Sequence, residues 1–191
     1  TIPSGWVDVQ INGCVGVNFT SAALTEEDVV RAADHVLKSG TGVFLPTLVT
    51  APIDVFRRNI PLIRNAVERA GLQRHVPGVH LEGPFLSAEP GAVGAHNPAW
   101  VQPATVERFD ELVAEHGDFV RLLTVAAENP GVLGLIGAAR TRGITVSVGH
   151  QMATGAQIHD AAAAGATAAT HVGNGIPNLI HRHNNSLWPI L

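Results

Sequence analysis

Apolar positions along this chain switch repeatedly between two spacings. Trp6–Asn12 alternates with a period of two, as a half-buried strand does. From Thr25 to Gly40 the spacing becomes helical, with Val29, Val30, Ala33, Val36 and Leu37 on one face. Thr25 reads as the cap of that helix, acidic residues fill its first turn, and Gly40 stops it. The exchange then recurs. Gly42–Thr50 reads as a strand and Pro52–Gly71 as a helix that Pro61 should kink or break. Val76–Phe85 is the third strand and Thr105–Gly117 the next helix. Val120–Ala126 precedes a helix bounded by Pro130 and Gly143. Ile144–His150 precedes a helix opened by a Thr154/Gln157 capping box, and Ala166–Val172 closes the series as a strand.

Six strand-and-helix units, the last without its helix, contain no adjacent pair of strands that could form a hairpin. Strict alternation with apolar strands predicts an α/β fold with a parallel sheet covered by helices. A closed (β/α)8 barrel needs eight such units and about 250 residues. The expectation is therefore a TIM-barrel-like chain with about six βα units present, residues 1–191 forming one partial barrel domain. A doubly wound open sheet is the competing topology, weakened because no Gly-x-Gly-x-x-Gly follows the first strand.

Composition narrows the class. The 191 residues are 46% hydrophobic and 15% charged, with a net charge of -4 and no basic patch, so nucleic acid is not an expected partner. No apolar run approaches the roughly 20 residues of a membrane span. Cys14 is the one cysteine, which excludes an internal disulfide framework and fits a reducing, cytoplasmic setting. The first residues, "TIPSGW", lack an initiating Met and the last, "SLWPIL", are apolar, so both ends read as cut. Ten histidines against 12 Lys plus Arg suggest metal or acid–base chemistry.

In a barrel, the C-terminal ends of strands face the active-site mouth. Here those ends carry Gln10 and Asn12, then Glu82, then His150, then His171. Each has an ordinary reading: a hydrogen-bonded structural His, a salt-bridged Glu, an amide paired with loop backbone. One carboxylate and two imidazoles at equivalent ends of three strands nevertheless suit a first-row divalent metal, zinc with iron or manganese as alternatives. Three protein ligands would leave a position open for water. His35, His75, His116 and His159 read as solvated, and His80, two residues before Glu82, as a barrel-lining or core residue.

The motifs "DVQINGCVGVNF", "HLEGPFL" with "GAHNP", "VSVGH" with "GATAATHVGNG", and the Arg in "LIHRH" closely resemble the N-acetylglucosamine-6-phosphate deacetylases of the amidohydrolase superfamily. The resemblance runs along nearly the whole chain. It implies a metal-dependent barrel that hydrolyses the acetamide of a 6-phosphorylated amino sugar and releases acetate. Glu82, His150 and His171 match the family's metal ligands. Gln10-Ile11-Asn12 stands where much of the superfamily has a His-x-His pair, and neutral amides are weak ligands, so one metal is expected. Ala95 and His96, and Asn174 and Gly175, match substrate contacts, the latter pair partly through backbone amides. Arg182, eleven residues past His171, matches an arginine on the substrate phosphate that often reaches across a homodimer interface.

The chain departs from the family where "HVGNGIP" replaces "HxxNAM" and "IHRHNNSLWP" replaces "GREPG". The family's acid–base aspartate follows a later strand than any here, and neither Asp8 nor Asp160 sits at a suitable strand end. The catalytic residue is therefore unassigned. Two alternatives follow: a catalytically incomplete piece that binds metal or sugar phosphate only, or an amidohydrolase acting on a different N-acyl amine. An aldolase is disfavoured because no Lys ends a strand for a Schiff base.

Overall fold

The computed structural model describes residues 4–191. Its strands are β1 (Trp6–Ile11), β2 (Thr41–Val49), β3 (Val79–Glu82), β4 (Val120–Val125), β5 (Thr145–Val148) and β6 (Ala168–Ala169). Between them run the helices α1 (Glu26–Lys38), α2 (Ile53–Arg69), α3 (Val106–Val113), α4 (Val132–Thr141) and α5 (Gly155–Ala164). All six strands are parallel and lie in chain order, β1-β2-β3-β4-β5-β6. A doubly wound sheet reverses its order at a switch point. This one does not, and it is the arc of a (β/α)8 barrel.

Register explains how the arc sorts its side chains. Thr47, Leu48 and Val49 stand beside His80, Leu81 and Glu82, which in turn adjoin Leu122, Leu123 and Thr124. Because strand side chains alternate, Leu48, Leu81, Leu123 and Val146 share the face that packs on the helices, in one core with Phe56, Ile63, Phe109 and Leu135. The opposite face carries Thr47, His80, Glu82, Thr124 and Ser147, each buried. The inside of the arc therefore carries a buried row of polar side chains, beside Leu45 and Leu122.

Helix starts follow the sequence closely. Thr25 accepts from the Asp28 amide while Asp28 accepts from Thr25, and Thr154 and Gln157 do the same for α5. Four expectations need correction. Helix α2 runs unbroken past Pro61, because Phe56, Ile60, Ile63 and Val67 keep one buried stripe that outweighs the missing amide. Val30 is exposed, and Ala32 takes its place on the buried face of α1. Helix α3 ends at Val113, where Ala114 adopts a φ of 47° and a 3-10 segment follows. Strand β6 is two residues long, since His171 at φ 53° leaves the extended region. Among the histidines read as solvated, His35 and His159 are exposed, but His75 is half-buried with its Nδ1 2.7 Å from the Gly42 carbonyl, and His116 is half-buried.

Arg64 of α2 ties the helical layer together: it bonds Asp118 at 2.6 Å and lies over the Phe119 ring at 4.9 Å. The Arg64 hydrogen bond holds the Asp118 carboxyl below the usual carboxylate range. A carboxyl depressed in the folded state contributes stability above its unfolded pKa of about 3.9, and that contribution fades as pH falls through the folded value. Arg64→Met should thus lower urea-unfolding stability at pH 7 by no more than about 1 kcal/mol, as exposed ion pairs do. The difference from the parent chain should shrink in the same assay below about pH 4.

Candidate metal centre

The C-terminal ends of β3, β5 and β6 bring Glu82, His150 and His171 together, with one ligand atom from each lying within 4.8 Å of the others. Glu82 is 2% exposed, and its Oε1 stands 3.2 Å from His150 Nε2 and 2.8 Å from His171 Nε2. His96 enters from the loop after β3: its Nε2 is 3.8 Å from Glu82 Oε2, and its ring meets that of His150 edge-on at 4.5 Å. Gln10, from β1, places Nε2 3.3 Å from His171 Nε2. Backbone strain marks the same place. Among the described residues, four non-glycine residues have positive φ, and His150 (50°) and His171 (53°) are two of them. Such conformations cost on the order of 1 to 3 kcal/mol and persist where the surroundings enforce them.

The protons decide what the cluster can hold. His150 Nδ1 is 3.0 Å from the Ala92 carbonyl, which can only accept, so Nδ1 bears hydrogen. In a neutral ring, Nε2 then presents a lone pair to Glu82, which is a second acceptor. Either a doubly protonated imidazole or a cation between the two reconciles them. Burial by itself would raise the Glu82 carboxyl; with His150 doubly protonated, its hydrogen bond together with that of Gln10 outweighs burial and draws the carboxyl down to about 2. Burial pushes the His96 ring down to about 4, helped by His150 and opposed by Glu82. His96 is accordingly neutral near pH 7. It accepts the Thr50 amide at Nδ1 (3.3 Å), which leaves its Nε2 hydrogen facing the cleft. One carboxylate cannot balance several imidazolium rings, whereas a carboxylate with neutral imidazole lone pairs is the donor set of zinc, iron or manganese. The residues present fit such an ion.

The cleft around the cluster has a volume of about 450 Å³ and is lined by Asn12, Val17, Asn18, Val49, Ala95 and His96 besides the three ligand candidates. Of the residues singled out from sequence, Gln10, Asn12, Glu82, Ala95, His96, His150 and His171 thus converge. Gly175 is buried behind the cluster, its carbonyl accepting from Gln151. The amides of Asn174 and Gly175 both donate to the His171 carbonyl, at 2.8 and 3.0 Å, so in this conformation only the Asn174 side chain can reach out. Arg182 is exposed on the segment after β6, and its carbonyl accepts from Asn185 and Trp188. Sequence reasoning missed Ala92 and Gly94, which brace His150. A Cβ on Gly94 would stand 3.0 Å from the His150 ring, in a backbone with φ of 59°. The "GAVGAH" run held that signal, since a loop with two glycines beside a His candidate implies close approach.

No protein-family model matches the chain. Curated relatives do. The N-acetylglucosamine-6-phosphate deacetylase of Homo sapiens is 40% identical over 184 residues, covering 93% of this chain and 44% of the human protein. That of Haemophilus influenzae is 36% identical over 173 residues (91% and 44%). The N-acetylgalactosamine-6-phosphate deacetylase of Escherichia coli O157:H7 is 32% identical over 177 residues (93% and 46%). Among solved structures, N-acetyl-D-glucosamine-6-phosphate deacetylase from Mycobacterium smegmatis superposes with a TM-score of 0.83 at 31% identity, covering 99% of this chain and 48% of that one. A mutant of that enzyme in complex with N-acetyl-D-glucosamine-6-phosphate also gives 0.83, at 31% identity, covering 98% and 47%. The chain spans less than half the length of the curated relatives it matches. By sequence and by fold alike, it is a homologue of part of the N-acetylglucosamine-6-phosphate deacetylases.

Proposed function

We propose that residues 1–191 form the metal- and sugar-binding part of a barrel domain that hydrolyses the acetamide of N-acetylglucosamine 6-phosphate, giving glucosamine 6-phosphate and acetate. The observation that carries this reading is the convergence of a buried carboxylate and two imidazoles on one cleft at the C-terminal strand ends. Glu82, His150 and His171 would hold one divalent ion, zinc with iron or manganese as alternatives. When bound, that ion supplies a Lewis acid for the acetamide carbonyl and the attacking water.

The chain's own residues supply orientation. Ala92 fixes the His150 ring so that Nε2 faces Glu82. His96 offers its Nε2 hydrogen to the sugar or to the acetamide oxygen, because Thr50 already occupies Nδ1. Ala95 forms the wall beside it, with Asn12 on the β1 side of the cleft. Gln10 holds the edge of the metal position as a neutral amide, which suits a single ion. The Asn174 side chain completes the substrate loop, with Gly175 backing His150 behind it, and Arg182 takes the 6-phosphate through its planar guanidinium. Glu82 is the one carboxylate lining the cleft among the described residues, and it is a ligand candidate. Proton transfer is therefore assigned to no residue of this chain. The matching subunit assembly is a homodimer with a cytoplasmic location. No helix among the described residues is long and apolar enough to cross a membrane.

A second reading has specific support. One relative is named for N-acetylgalactosamine 6-phosphate, and "HVGNGIP" and "HRHNN" depart from the usual substrate loop. The sugar could be that epimer, or the piece could bind without turnover.

Calorimetry on the purified chain with Zn²⁺ tests the assignment. N-acetylglucosamine 6-phosphate should bind more tightly than N-acetylglucosamine, and Arg182→Ala should weaken the phosphorylated sugar by roughly 10- to 100-fold while leaving the other unchanged. Equal affinity for the two sugars would overturn the phosphate reading, and tighter binding of the galactosamine epimer would select the second.

A further inference from the structure

Strand β6 poses a mechanical problem. It pairs with β5 alone, is two residues long, and both of its alanines are exposed. Very little apolar surface holds it, yet it ends two residues before His171, with Thr170 between. What fixes its end is polar. The Thr170 amide donates to the Val148 carbonyl at 2.9 Å, and Thr170 Oγ1 lies 2.6 Å from Ser147 Oγ and 3.0 Å from Thr124 Oγ1. Thr124 Oγ1 in turn lies 2.8 Å from His80 Nε2, and His80 Nδ1 is 3.4 Å from Thr47 Oγ1. This row of side chains spans the inside of the arc from β2 to β6, directly beneath Glu82.

One proton direction satisfies the whole row. Ser147 donates to Thr170, Thr170 to Thr124, and Thr124 to His80 Nε2. His80 Nδ1–H then faces Thr47, whose hydroxyl reaches the Leu45 carbonyl at 3.3 Å. The opposite direction leaves the Ser147 hydrogen without an acceptor in the row. Thr170 is also pressed against the residue before His150: a Cβ on Gly149 would lie 2.7 Å from the Thr170 carbonyl oxygen and 3.0 Å from Thr170 Cβ. Only a glycine lets the two strand ends approach so closely.

We infer that Thr170 is a positioning residue for the candidate metal centre: its hydroxyl, shared between Ser147 and Thr124, fixes the end of β6 and so the distance of the His171 imidazole from Glu82 and His150. The inference rests on the metal reading above. Thr170 does not line the cleft of the candidate metal centre; it acts through the backbone of the residue that follows it. Buried polar networks are strong when every member is satisfied and fail when one is removed, so the row beneath the site is what removing this hydroxyl disturbs.

Co²⁺ titration followed by visible absorption, with thermal melting of the metal-free chain, tests this on the parent, Thr170→Val, Thr170→Ser and Ser147→Ala. Outer-shell partners of metal ligands typically contribute 10- to 100-fold in affinity. Thr170→Val should therefore bind Co²⁺ about 10-fold or more weakly, with an altered band shape, and Thr170→Ser should restore both to near the parent values. Ser147→Ala, a small change in a buried site, should weaken binding in the same direction, which keeps the test informative if Thr170→Val does not fold. Equal Co²⁺ affinity and band shape in the parent and Thr170→Val would overturn the inference, even if the variant melts earlier. So would a Ser variant as weak as the Val. A parent chain that binds no Co²⁺ would instead remove the centre itself, and the metal reading with it.

Discussion

Glu82 is an ionised carboxylate, almost wholly buried, at the end of an apolar strand, and the rest of the site is organised around that fact. An unpaired buried charge is costly enough that proteins either neutralise it or surround it. Here it is surrounded by the rings of His96, His150 and His171 and by the Gln10 amide. Yet the His150 ring, held by its Nδ1 on the Ala92 carbonyl, offers a lone pair and not a hydrogen when neutral. Protein groups alone therefore balance the carboxylate only if histidines take up protons, and burial works against that in His96. A divalent cation removes the conflict in one step.

The arrangement also explains why the inner face of the arc carries a polar row and its outer face is apolar. Helices need an apolar sheet face to pack on, and Leu48, Leu81, Leu123 and Val146 provide it. The inner face has to carry the strand ends that bear the candidate ligands, and two of those candidates, His150 and His171, sit in strained backbone. The hydroxyls of Thr47, Thr124, Thr170 and Ser147, linked through His80, give that face directional bonds that aliphatic side chains would lack. Directional bonds hold a strand end at a fixed distance, where apolar contact alone tolerates sliding.

Much of this was legible in the sequence because the relevant signals are local. Apolar period, capping residues at Thr25 and Thr154, and terminating glycines located the six strands and five α-helices, though not the 3-10 segments, and the strand-end rule picked out Glu82, His150 and His171. What escaped was set by tertiary context. Pro61 does not break α2 because the packed stripe around Ile60 and Ile63 holds the helix on both sides. The left-handed φ of Ala114 and of His171, at the points where α3 ends and β6 stops short, has no glycine or asparagine in the sequence to announce it. The roles of Ala92, Gly94 and His80 depend on which carbonyl or ring lies opposite, and no spacing rule encodes that. The engagement of the Asn174 and Gly175 amides with the His171 carbonyl belongs to the same class.

On this reading a metal ion held with His150 and His171 balances the charge of Glu82. Elemental analysis of the purified chain, alongside a Glu82→Gln variant of equal folded content by circular dichroism, tests it most directly. The parent chain should carry about one first-row divalent ion, as expected for a single site with three protein ligands, and the variant should lose it. A folded parent without metal, or a Gln variant that keeps its metal undiminished, would contradict it.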